Sequence, residues 1–109
     1  MPEPSSNPPG QRLVSTFATD PEMAELVGMF VGEIPDRIRA IQEAWSSGSL
    51  AELARVAHQL KGSCGGYGFP SIGDQAARVE GLIKSGTSDV ESVRREVDGL
   101  VELCRRAMT

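Results

Sequence analysis

The stretch SLAELARVAHQLKGSCGGYG, residues 49–68, decides how the rest of the chain can be organised. Ser49 and Glu52 have the spacing of a capping box at the start of a helix. Four glycines follow between Gly62 and Gly68, and each weakens a helix by roughly 1 kcal/mol relative to alanine. These glycines therefore either end the helix or serve a site. The apolar residues recur at steps of three and four, which predicts one inward face: Leu50, Leu53, Ala57, Leu60 and Cys64.

The residues before this stretch predict a short helix followed by a longer one. Asp20 and Pro21 have the order of an N-cap and a first helical residue. Apolar residues then follow at helical spacing: Met23, Leu26, Val27, Phe30 and Val31. Gly32 and Pro35 are expected to interrupt this short helix, because proline lacks the N–H that a helix interior requires. The second helix, ending at about Ser47, has its own inward face: Ile34, Ile38, Ile41 and Trp45.

The residues after Gly68 predict two further helices. Ser71 is the expected cap of the first, whose inward residues are Ile72, Ala76, Val79 and Ile83. Ser88 and Glu91 form a second capping box before the last helix. That helix has an inward face of Val93, Val97, Leu100, Val101, Cys104 and Met108, and a solvated face of Arg94, Arg95, Arg105 and Arg106. The pattern predicts an all-α, antiparallel up-down four-helix bundle with a short additional N-terminal helix.

The composition fits one domain and excludes several function classes. Residues 1–12 carry four prolines and predict a disordered tail or linker, which leaves residues 13–109 for the bundle. A net charge of -4 and a pI of about 4.9 argue against nucleic acid as a partner. No run approaches the roughly 18 apolar residues of a membrane span, and the N-terminus does not resemble a secretory signal. With two cysteines predicted in the core, a reducing cytoplasmic setting is expected.

His58 is the only histidine, and its register places it on the solvent side of its helix, roughly 130° from the centre of the apolar seam. The ring is flanked by cations and very small side chains: Ala54, Arg55, Lys61, Gly62 and Gly65. A partner surface, or a group attached to the ring, could therefore approach closely. The alternative interpretation is an ordinary surface histidine beside a glycine-rich helix end.

These residues limit the kinds of reaction that the chain could carry out. A metal site needs three or four ligands, and the chain offers one histidine with two inward-facing cysteines. Cys64 points into the seam while His58 points out, so a Cys–His nucleophile pair is not expected. A neutral imidazole is itself a nucleophile near neutral pH. It can accept a phosphoryl group, and Lys61 and Arg55 could offset the added negative charge.

At this point the sequence resembles a known family. HQLKGS, residues 58–63, is similar to the H-x-L-K-G-[SA] signature of histidine-containing phosphotransfer (HPt) domains. Tyr67-Gly68 stands in place of the usual aliphatic-Gly ending, and Glu80 resembles an acidic residue that the family often has on the following helix. The resemblance covers nearly the whole predicted bundle, because the helix order and lengths also agree.

The resemblance implies a phosphocarrier rather than an enzyme. His58 would take a phosphoryl group on Nε2 from an aspartyl phosphate of a receiver domain and pass it to another receiver. Lys61 would steady that group, and the partner would dock around the ring: Ala54, Arg55, Gln59, Gly62 and Gly65. No cofactor or metal of its own is implied, since Mg²⁺ belongs to the receiver.

The implied partners are response-regulator receiver domains, a hybrid histidine kinase, or both, with the chain itself a monomer. Two alternatives remain open from the sequence. One is a helical adaptor that binds receivers without being phosphorylated. The other is a substrate domain of a larger histidine kinase.

Overall fold

The computed structural model describes residues 12–108, which form four α-helices and no strand. The helices are α1 (Pro21–Ser46), α2 (Leu50–Tyr67), α3 (Pro70–Lys84) and α4 (Val90–Met108). Helix α2 packs against α1 and α3, and α4 packs against the same two, so α2 and α4 are diagonal. The predicted all-α four-helix bundle is confirmed. The predicted tail, residues 1–12, lies outside the described residues except for Arg12.

The predicted short N-terminal helix is not a separate element, because α1 runs without a break through Gly32 and Pro35. Its buried residues continue at helical spacing on both sides of the proline: Phe30, Ile34, Ile38, Ile41 and Ala44. Pro35 lies on the exposed side of the helix, where water can hydrogen-bond the carbonyl that loses its donor. Burial of this continuous apolar face outweighs the cost of about 3 kcal/mol that proline imposes inside a helix.

The ends of the helices confirm two predicted caps and correct two others. Asp20 accepts a hydrogen bond from Glu22 N at 2.9 Å, and Ser49 Oγ accepts one from Glu52 N at 3.3 Å. Helix α3 begins at Pro70 without a side-chain cap, so the predicted cap at Ser71 is wrong.

The predicted capping box at Ser88 is also wrong, because Asp89 takes that position before α4. Its Oδ1 accepts from Ser92 N at 3.2 Å, and its Oδ2 accepts from Ser92 Oγ at 2.7 Å. Asp89 directly precedes the first helical residue, Val90. A carboxylate there also opposes the partial positive charge of the helix N-terminus. Ser88 lies one residue too early to make these bonds.

The core contains most of the predicted inward residues, with differences near the helix ends. Leu50 and Met108 are 40% and 39% exposed, and each lies in a terminal turn of its helix. Trp45 and Ile83 are only partly buried. Arg106, predicted to be solvated, is buried, since the N-terminal segment crosses this end of α4 and Leu13 N donates to Arg106 O at 3.0 Å.

The two cysteines are buried core thiols, as predicted. Burial raises the pKa of Cys64 and of Cys104 to about 12, so neither thiol ionises at neutral pH. They lie on the diagonal helices α2 and α4, which bring no Cα atoms within 8 Å of each other. A disulfide needs Cα atoms closer than about 7 Å, so this fold keeps the two thiols apart.

The segment before α1 is hydrogen-bonded to the C-terminal end of α2. Ser15 Oγ donates to Tyr67 O at 2.6 Å, and Thr16 N donates to Gly68 O at 2.8 Å. The ring of Tyr67 stacks on Phe30 with centroids 4.9 Å apart, which joins this end of α2 to α1. Gly68 ends α2 in the left-handed region, with φ +80°.

Gly68→Ala is expected to destabilise the fold by about 2 kcal/mol, because a left-handed conformation is costly for a residue with a Cβ. That Cβ would also lie 2.6 Å from both Ser15 Oγ and Thr16 Oγ1. Gly66→Ala is the matched control, since its Cβ position has no atom within 4 Å apart from the adjacent residues and the helix's own backbone. In urea unfolding the control should gain up to about 1 kcal/mol. Equal effects of the two substitutions would contradict the role given to Gly68.

Candidate functional site

His58 lies near the middle of α2 with its side chain 63% exposed. Its predicted place on the solvent side of the helix is confirmed. The inward residues on either side, Ala57 and Leu60, are fully buried. The helix is therefore anchored by its apolar face while the imidazole stays accessible.

Helix α3 brings a carboxylate against one edge of the ring. Glu80 Oε2 lies 2.8 Å from His58 Nδ1, and the Glu80 side chain is only 7% exposed. Two turns earlier on α3, Gly73 also faces α2: a Cβ there would lie 3.5 Å from Cys64 Cβ, an ordinary van der Waals contact. The packing of α3 against α2 thus brings Glu80 to the histidine.

Two lysines hold the same carboxylate. Lys61 Nζ donates to Glu80 Oε1 at 2.9 Å, and Lys84 Nζ contacts Oε2 at 2.9 Å. Hydrogen bonds from Lys61 and then Lys84 lower the pKa of Glu80 to about 2; burial opposes this shift and His58 adds to it. Glu80 is therefore ionised at neutral pH.

The ionised carboxylate determines which nitrogen of the imidazole carries the proton. A carboxylate can only accept a hydrogen bond, so His58 Nδ1 must carry the proton in this contact. In the neutral ring the lone pair then belongs to Nε2, which lies on the edge away from Glu80. The site therefore presents one nucleophilic nitrogen on an accessible ring.

The glycines next to the ring leave space around it. Apart from the adjacent residues and the helix's own backbone, no atom lies within 4 Å of the position that a Cβ would take at Gly62 or at Gly65. Both residues are exposed, and they follow His58 by one and two turns of α2. A larger partner can therefore approach the ring along this side of the helix.

Two of the predicted docking residues have partners outside the carboxylate cluster. Arg55 is paired with Glu52 on its own helix. Gln59 Oε1 accepts from Arg37 Nη1 at 3.4 Å, towards α1, and Ala54 is half-buried. The groove between α1 and α2 beside them is lined by Glu33, Asp36, Arg37, Ala40, Arg55, Val56 and Gln59.

Lys84 is the residue that sequence reasoning missed, and Glu80 was indicated only by the resemblance. Their spacing of four residues on one helix is the signal that could have indicated an ion pair. Their contact with His58 depends on how α3 packs against α2, which no local pattern reveals.

Within residues 12–108 there is no group of three or more His, Cys, Asp or Glu side chains that could hold a metal ion. Over the same residues no helix is long and apolar enough to cross a bilayer.

Comparison with known proteins identifies the family. The family described as Hpt domain matches residues 25–108 of the chain. A curated relative, the sensor histidine kinase AruS of Pseudomonas aeruginosa, is 32% identical over 59 residues. That alignment covers 54% of this chain and 6% of the relative, so the chain spans a small part of that protein. No solved structure matches at a significant level. The helical bundle, the exposed histidine and this match together show that the chain belongs to the Hpt family, the phosphotransfer domains of two-component systems.

Proposed function

We propose that this protein is a phosphocarrier in a two-component phosphorelay, with His58 as the residue that carries the phosphoryl group. The observation that supports this most strongly is the contact between His58 Nδ1 and the ionised Glu80 on a ring that is 63% exposed. In the neutral ring this contact places the proton on Nδ1 and leaves the lone pair on Nε2, where a nucleophile needs it.

In the proposed step, the Nε2 lone pair attacks the phosphorus of an aspartyl phosphate on a receiver domain. The N–P bond forms as the P–O bond to the aspartyl carboxyl breaks, and the carboxylate leaves with the electron pair. The proton on Nδ1 stays in place, so the ring becomes a phosphorylated cation. Transfer to a second receiver is the same step in reverse.

Glu80 is well placed to assist this step, because the ring gains positive charge as the N–P bond forms. A buried, ionised carboxylate 2.8 Å from Nδ1 stabilises that charge. It also holds the imidazole in one orientation, so Nε2 points outwards throughout. Glu80 therefore acts as a positioning residue for His58.

Lys61 is proposed to steady the phosphoryl group from the same helix as His58. Its side chain is 41% exposed, and Nζ already lies within the cluster through Glu80 Oε1. An ammonium group that can turn towards a phosphoryl oxygen offsets part of its negative charge.

The partner is proposed to dock on the open side of α2, over Ala54, Arg55, Gln59, Gly62 and Gly65. The expected partners are response-regulator receiver domains, a hybrid histidine kinase, or both. The receiver would supply Mg²⁺ and most of the catalysis, so this chain would need no cofactor of its own. It would act as a cytoplasmic monomer.

A second candidate is a substrate domain within a larger histidine kinase. The similarity of one stretch to a small part of a sensor histidine kinase favours it. Both candidates place the phosphoryl group on His58, and they differ in the donor.

The proposal is tested by incubating the protein with a receiver domain phosphorylated with ³²P and following the label. The expected result is transfer to the protein as acid-labile, base-stable phosphate. If the protein acquires no such label from a phosphorylated receiver, the phosphocarrier function is wrong, and labelling by a histidine kinase alone would favour the second candidate.

Lys61→Ala is expected to slow transfer by about fivefold, the upper range for a half-exposed ion pair, while helicity stays nearly unchanged. Lys61→Arg is the matched control, because it keeps the positive charge, and should retain most of the rate. Transfer rates and circular dichroism are measured on the same samples. A large loss of helicity in Lys61→Ala would make Lys61 a structural residue instead.

A further inference from the structure

We propose that the groove between α1 and α4 is a second docking surface, which binds an arginine or lysine side chain on an otherwise apolar segment of a partner protein. The groove has a volume of about 650 Å³. It is lined by the C-terminal end of α1 and by the stretch of α4 from Val97 to Arg105. Binding there would be separate from the proposed phosphotransfer at His58.

Trp45 forms an aromatic wall of this groove. Its side chain was predicted to point inward, yet in the structure it is only partly buried. Among the described residues no cation contacts the indole ring, and none accepts a hydrogen bond from its N–H. Of the aromatic side chains, the indole of tryptophan attracts cations most strongly. Trp45 therefore suits a positive group that comes from another molecule.

The floor of the groove is apolar. Val97 and Val101, which are 4% and 6% exposed, belong to the hydrophobic core and also line the groove. Carbon atoms of a partner that cover them would leave water, which stabilises the complex. The aliphatic stem of a lysine or arginine can lie on such a floor while its charged end stays at the rim.

The charges at the rim favour a positive ligand. Asp98 and Glu102 lie one turn apart on the side of α4 that lines the groove. Asp98 makes only a long contact with Arg94, at 3.9 Å, and Glu102 has no ion pair within the part of the chain that the structure describes. With Arg105, the two carboxylates and one guanidinium of the lining give a formal charge of −1.

The C-terminal end of α1 adds to this preference for a cation. The carbonyl groups at the end of a helix carry a partial negative charge, and α1 has no basic residue in its last turn. Helix α4, by contrast, has Arg105 and Arg106 in its last turn, so Arg105 offsets the end of its own helix. The α1 side of the groove, next to Trp45, is left without a cation of its own.

The groove lies away from His58. Helices α2 and α4 are diagonal in the bundle, so the side of α4 that lines the groove is not part of the surface around the imidazole. A segment bound between α1 and α4 would therefore leave His58 open to a receiver.

The chain has one tryptophan, so Trp45 itself reports on the groove. The probe is the peptide acetyl-Ala-Leu-Arg-Leu-Ala-amide, and the matched probe has citrulline, a neutral isostere, in place of the arginine. The expected result is a saturable change in Trp45 fluorescence and in the ¹⁵N shift of its indole. The arginine peptide should bind about two- to fivefold more tightly, the range for an exposed cation on an aromatic ring.

Two double variants test the carboxylates. Asp98→Asn with Glu102→Gln should weaken binding of the arginine peptide by about two- to fivefold, the range for exposed ion pairs. The matched control, Glu22→Gln with Glu25→Gln, removes the same charge from exposed positions at the other end of α1, roughly 30 Å from Trp45 along the helix. It should bind as the wild type does. Circular dichroism checks the fold of both, and the citrulline comparison needs the wild type alone.

Three results would overturn the proposed docking surface: no saturable change with the arginine peptide, equal affinities for the two peptides, or equal weakening in the two double variants. Transfer of ³²P label from a receiver to His58 should be the same with and without saturating peptide. Competition between the peptide and the receiver would overturn the separation of this groove from the phosphotransfer site.

Discussion

His58→Gln is expected to abolish labelling completely. The glutamine amide has no nucleophilic nitrogen, yet its N–H groups can still donate to Glu80, so the cluster keeps its hydrogen bond. Since His58 is 63% exposed, the free energy of unfolding should change by no more than about 0.5 kcal/mol. Label transfer from a phosphorylated receiver and urea unfolding measure the two effects.

The loss of labelling in His58→Gln should be complete. The chain has one histidine, so no second imidazole can replace it. Any acid-labile, base-stable phosphate on His58→Gln would therefore contradict the assignment. Arg94→Ala, at a position 55% exposed on α4, the helix diagonal to α2, is the control and should still be labelled.

Glu80→Ala has the second largest expected effect, a loss of about ten- to a hundredfold in transfer rate. Removing the carboxylate that orients a metal-ligating histidine has effects in this range, and the contact here has the same form. The substitution takes away both the charge that stabilises the cationic ring and the acceptor that keeps the proton on Nδ1. Stopped-flow or quench measurements of label transfer give the rate, and ¹⁵N spectra of the ring give the tautomer.

Glu80→Gln is the matched control for that experiment. Its amide oxygen can still accept from Nδ1 but carries no charge, so the tautomer should persist while the rate falls less than in Glu80→Ala. If Glu80→Ala leaves both the rate and the ring spectrum unchanged, Glu80 has no positioning role.

The stability of the same variants should depend on pH in a defined direction. The pKa of Glu80 falls from 4.5 to about 2 on folding, chiefly through Lys61 and Lys84. Its contribution to stability is therefore complete above about pH 4.5 and is lost as the pH falls to about 2. The wild type should lose that part of its stability over this interval, and Glu80→Gln should lack it.

The fold was largely predictable because each helix carries its own apolar face. The break at Pro35 was wrong, since local proline chemistry suggested an end while the buried face from Phe30 to Ala44 continues through it. Tertiary packing decided that case, as it often does when local preference and burial disagree.

The site was predictable only in part, for a related reason. The exposed His58 and the cleared space at Gly62 follow from the register of one helix. The contact with Glu80 and Lys84 depends on the distance between α2 and α3. No periodicity within either helix encodes that distance.

The position of the phosphorus on the ring tests the central claim most directly. The protein, labelled with ¹⁵N in its histidine, is phosphorylated by a receiver and examined by ³¹P and ¹⁵N spectroscopy. The expected result is phosphorus bonded to His58 Nε2, with a proton remaining on Nδ1. Phosphorus on Nδ1, or on a residue other than His58, would contradict the role of the Glu80 contact and of the histidine that it holds.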